Sequence, residues 1–70
     1  MRLRKFDIAE FKTMMLRLLN ASNAHDGIEL QKMAAEIENV YQRATMSTKE
    51  HGALMSTCLI LLDDWRKNYK

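Results

Sequence analysis

The chain has no proline, two glycines and one cysteine among its 70 residues. Without proline, and with so little glycine, neither a turn-rich β fold nor a disordered chain is favoured. The single cysteine, Cys58, rules out an internal disulfide, and no Cys/His cluster has the spacing of a structural zinc site. A domain of this size barely offsets its conformational entropy with one core, so it needs efficient helix packing, a partner or self-association.

Long apolar runs are also missing. The most apolar window is Leu54–Trp65, and it is interrupted by Ser56, Thr57, Asp63 and Asp64. A membrane-crossing helix needs about 20 apolar residues, so this window must be covered by protein. No membrane partner is expected. The N-terminus is basic but leads into no signal-peptide core, and a lone thiol fits a reducing compartment, so a cytoplasmic location is expected.

The net charge of +2 has a pattern: Arg2, Arg4 and Lys5 precede Phe6, and Arg66, Lys67 and Lys70 follow Trp65, leaving a body of −4. The expected organisation is a basic N-terminal arm over residues 1–6 and one helical domain over 7–70. An acidic body between two basic ends lacks the concentrated positive field of a dedicated nucleic-acid binder.

One start signal occurs three times. Asp7 with Glu10, Asp26 with Glu29 and Ser47 with Glu50 all have the capping-box spacing, at intervals of 19 and 21 residues. Phe6 and Phe11 bracket the first as a hydrophobic staple. These signals predict helices near residues 8–21, 27–44 and 48–67.

Periodicity supports each helix. In the first, Ile8, Phe11, Met14, Met15, Leu18 and Leu19 share an arc of about 140°, with Leu16 outside it. In the second, Leu30, Met33, Ala34, Ile37, Val40, Tyr41 and Ala44 share about 120°, opposite Glu29, Lys32, Glu36 and Arg43. In the third, Leu54, Met55, Cys58, Leu59, Leu61, Leu62, Trp65 and Tyr69 spread over about 160°, enough for two neighbours. Short connections predict an all-α, three-helix up-down-up bundle. The alternative is a dimerising helical hairpin with an N-terminal helix, in which the second and third helices could merge through Thr45–Thr48.

Catalytic groups do not converge in the sequence. His51 and Cys58 are two helical turns apart, about 10 Å of rise, which is too far for a nucleophile–base pair. Asp63 and Asp64 point about 100° apart on a helix and cannot share one ion; Asp63 instead suits Lys67 at i+4. No phosphate-binding loop, zinc spacing or nucleophile motif is present. The expectation is a non-enzyme with no catalytic residue, cofactor or metal, acting as a regulator, adaptor or inhibitor and working as a homodimer, bound to a larger protein, or both.

Five internal methionines favour adaptable contacts. The candidate partner-binding residues are Leu16, Ile28, Met46 and Ile60, outside the core faces, with Trp65 and Tyr69 at the end of the third helix. The alternative function is a small dimeric transcriptional regulator that contacts nucleic acid through Arg2, Arg4 and Lys5. Its outline, a basic strand before two helices, is similar to that of ribbon-helix-helix dimers. That resemblance implies Arg2 and Arg4 on one strand face, toward the major groove. A third apolar helix is extra to that plan.

Overall fold

In the computed structural model, residues 3–69 form three helices, α1 (Ile8–Asn23), α2 (Gly27–Arg43) and α3 (Thr48–Tyr69). All three lie where the capping signals predict them. The Asp7 carboxylate accepts the Glu10 N–H at 2.9 Å, and the Asp26 carboxylate accepts that of Glu29 at 3.0 Å. At α3 the box is reciprocal: the Ser47 hydroxyl accepts from the Glu50 N–H at 3.0 Å while the Ser47 N–H donates to Glu50 Oε1 at 2.9 Å.

Glu10 and Glu29 have a different use. Glu10 binds the Arg4 guanidinium at 2.7 Å, and Glu29 together with Glu36 binds Arg17 at 3.1 and 2.6 Å. On the outer face of α2, Glu29 and Glu36 have Lys32 and Arg43 of their own helix as local alternatives. Instead they take an arginine from α1, tying the first two helices at their outer edges.

The helices run up, down and up. Cys58 Sγ on α3 donates to the Leu30 carbonyl on α2 at 3.2 Å, while His51 contacts Glu38 and Tyr41 contacts Thr48, so α2 and α3 are antiparallel. At 22 residues, α3 is about 33 Å long and sets the 41 Å dimension of the bundle. It packs on both other helices. The fully buried side chains Leu18, Leu30, Met33, Ile37, Leu54 and Cys58 form the centre.

The α1–α2 connection is a Schellman motif. The Asp26 N–H reaches back to the Ala21 carbonyl at 2.9 Å and the His25 N–H to that of Ser22 at 3.0 Å. His25 has φ 54°, the left-handed position that glycine usually takes.

The second connection separates α2 from α3, so the merged-helix alternative does not hold. Ala44 is extended and forms a parallel bridge with Arg4. The Arg4 N–H donates to the Arg43 carbonyl at 3.3 Å, the Thr45 N–H to the Arg4 carbonyl at 2.9 Å, and the Phe6 N–H to Thr45 Oγ1 at 3.1 Å. Residues 3–6 are thus held against the 44–47 segment, and Phe6, Ala44 and Met46 are buried there.

The buried arcs are narrower than the apolar arcs. Leu19 and Leu59, both on predicted core faces, are exposed, each turned about 100° from a buried neighbour, Leu18 or Cys58. Ile8 is exposed too. Two neighbours per helix do not cover the full apolar width of α1 and α3. Among the described residues no helix is long and apolar enough to cross a membrane.

Candidate interaction surface

Leu16, Ile28, Ile60 and Tyr69 are all exposed, Ile60 most of all at 68%. Met46 is corrected: it is buried among the core residues and offers little surface to a partner. Its burial follows from the bridge between residues 4 and 44, which folds the connection inward over the open end of the bundle.

Exposure of the predicted core residues adds a feature the sequence reading missed. Ile8 and Leu19 are 63% and 45% exposed. With half-buried Met15 they lie within about 40° of one line along α1. Leu16 borders that line, together with Lys12, whose methylene stem can cover apolar surface. Width was the available signal: an arc of about 140° exceeds the 100° stripe that a core-facing helix requires.

At the other end of the bundle, Trp65 and Tyr69 meet the α1–α2 turn. The Trp65 Nε1–H donates to the His25 carbonyl at 2.9 Å, and the His25 and Tyr69 rings stack with centroids 4.1 Å apart. Between turn and helix lies a cleft of about 230 Å³, bounded by Ser22, Asn23 and His25 on one side and Asp64, Trp65 and Tyr69 on the other. Buried Leu30 and half-buried Leu61 complete it. Leu16, Ile28 and Ile60 do not belong to this cleft, so the partner-binding candidates fall on separate surfaces.

The remaining chemical groups are occupied. His51 stacks on Tyr41 at 4.1 Å and places Nε2 3.1 Å from Glu38, while the Cys58 thiol is bound to a backbone carbonyl. Burial pushes the Cys58 thiol above its ordinary range, keeping it protonated. Lys67 pairs with Asp63 at 3.1 Å, as the i,i+4 spacing predicts. Among the described residues no three His, Cys, Asp or Glu side chains are grouped to hold a metal.

The basic arm divides. Arg2 lies outside the described residues, Lys5 is exposed, and the Arg4 guanidinium is engaged by Glu10, which raises its pKa. No protein-family model, curated protein or solved structure matches the chain.

Proposed function

We propose that the chain is a non-enzymatic contact protein, a regulator, adaptor or inhibitor, that works as a homodimer through the outer face of α1. The observation that carries this reading is the line of Ile8, Met15 and Leu19, bordered by Leu16. Three of these four are exposed large aliphatic side chains on one side of one helix. Isolated exposed apolar residues are ordinary, whereas a grouped apolar face marks a contact surface. A second copy packing along this line would supply the staple that a small domain needs.

The occupied state of the reactive groups supports a role without chemistry. His51 is engaged by Glu38 and Tyr41, and Cys58 by Leu30, so the two do not form a catalytic pair. A cytoplasmic location belongs to the same proposal, on the strength of one protonated thiol in place of a disulfide. No specific observation favours the nucleic-acid alternative, since Arg4 is already paired.

Sedimentation velocity across a concentration series tests the reading. A dimer at low micromolar concentration is expected, converted to a monomer by Leu16→Asp combined with Leu19→Asp. Both positions are exposed, so the double variant should keep its helical circular dichroism. A wild-type chain that stays monomeric, or a double variant that still dimerises, overturns the α1 interface.

A further inference from the structure

We propose that the cleft between the α1–α2 turn and the last turns of α3 binds a guanidinium group, the head of an arginine side chain or of a small guanidino compound. Among the described residues the lining has one carboxylate, Asp64, and no lysine or arginine. One of its oxygens accepts from Asn68 Nδ2 at 3.0 Å, leaving the other for an incoming donor. Arg66 and Lys67 of the same stretch do not line it, and Lys67 is paired with Asp63.

Helix direction adds to the negative potential. α1 ends at Asn23 and α3 at Tyr69, so two carboxyl-terminal helix ends converge on the cleft, while the one amino-terminal end beside it, that of α2, is capped by the Asp26 carboxylate. Such ends carry partial negative charge and favour cations.

The rings then select a planar cation. Tyr69 stacks on His25 and still remains 54% exposed, so it has ring surface free for a second flat group. Trp65 borders the same space. A guanidinium stacks flat on aromatic rings and donates in its plane, whereas an ammonium is compact and strongly hydrated. Here the free Asp64 carboxylate oxygen is the acceptor, and the polar residues Ser22 and Asn23 border the same space. At about 230 Å³ the cleft is smaller than the ~300–1,000 Å³ typical of small-molecule sites, which suits a single side-chain head.

This inference extends the contact reading and depends on it only where the guanidinium is supplied by a partner chain. Trp65, the one tryptophan of the chain, reports occupancy directly. The full chain is titrated with N-acetylarginine amide, its neutral isostere N-acetylcitrulline amide, and methylguanidinium, following Trp65 emission and the amide resonances of Asp64 and Tyr69.

The expected result is saturable, millimolar binding of the arginine amide, none of the citrulline amide, and roughly tenfold weaker binding in Asp64→Asn. Asp64 is exposed, so that variant should fold; Tyr69→Ala provides a second, independent loss of binding. Methylguanidinium binding as well as the amide assigns the site to a free cation, and tighter binding of the amide assigns it to a side chain. An equal response to citrulline, an unchanged response in Asp64→Asn, or no saturable response by about 50 mM overturns the proposal. The Leu16→Asp, Leu19→Asp double variant should retain the arginine response. A dimer without that response loses only the cleft, and a responsive monomer loses only the α1 interface.

Discussion

The indole of Trp65 lies directly against the α-carbon of Gly27, where a β-carbon would meet the middle of the ring. Gly27 has an ordinary negative φ, so glycine is required here for space and not for conformational freedom. It opens α2, and its missing side chain lets α3 close over the α1–α2 turn. The same approach brings Trp65 Nε1 to the His25 carbonyl.

Gly27→Ala therefore sets two effects against each other. Alanine in a helix gains roughly 0.5–1 kcal/mol over glycine. Displacing a rigid ring costs typically 1–3 kcal/mol. The clash is with mid-ring atoms that cannot bend aside, so the expected outcome is net destabilisation and a red-shifted Trp65 emission. Urea denaturation followed by fluorescence checks both, and a stabilised variant with unchanged emission would show that the ring is not seated there.

His25 and Tyr69 make a pair whose worth can be measured. A left-handed residue with a β-carbon costs about 1 kcal/mol, which glycine would relieve, while an aromatic stack returns about 0.5–1.5 kcal/mol. His25→Gly should thus be nearly neutral in the wild type and stabilising by about 1 kcal/mol in a Tyr69→Ala background. A double-mutant cycle by thermal or urea unfolding reads the difference. Equal effects in both backgrounds would mean that the stack contributes nothing to stability.

These two contacts also show where sequence reading stops. The caps at Asp7, Asp26 and Ser47 are legible because donor and acceptor lie three residues apart, and the three helices follow from them. The core lines through Leu18, Leu30 and Leu54 are legible from period alone. Gly27 beneath Trp65, Arg17 between Glu29 and Glu36, and Arg4 beside Ala44 join distant parts of the chain that no local pattern connects. The burial of Met46 is not legible for that reason: it depends on the bridge to Arg4. The exposure of Ile8, Leu19 and Leu59 is not legible for the converse reason, since apolar width reports what can be buried and not how many neighbours there are to bury it. Of the cleft, Trp65 and Tyr69 are legible as aromatics at the end of the third helix, but the turn that faces them is not.

Phe6 tests whether the first residues belong to the domain. Its side chain is only 6% exposed and its N–H is held by Thr45 Oγ1 at 3.1 Å. Phe→Ala in a core costs about 3–5 kcal/mol, comparable with the whole stability of a small domain. Phe6→Ala should therefore lower the melting temperature sharply or unfold the chain, with Phe6→Leu intermediate. Thr45→Val, which removes only the acceptor, should cost about 1 kcal/mol. A chain that tolerates Phe6→Ala without loss would make residues 3–6 a detachable arm, as the sequence alone suggests.

Cys58 links the core to pH. Its side chain is fully buried, its Sγ–H donates to the Leu30 carbonyl, and burial raises its pKa above the ordinary 9.0. In the unfolded chain the thiol ionises at the ordinary value, whereas in the folded chain it stays protonated. The unfolded state then binds fewer protons, and stability falls as pH rises. Its contribution is complete below the unfolded value and is lost as pH climbs from there through the raised folded value. Urea denaturation at about pH 7.5 and about pH 10 should show a loss in the wild type that exceeds the loss in Cys58→Ala, which cannot ionise. The same protonated, enclosed thiol should react with a disulfide reagent only as fast as the domain opens, and urea should accelerate labelling in parallel with unfolding. Rapid labelling of the native chain, or identical pH dependence in the two proteins, would place the thiol at the surface and contradict its position between α2 and α3.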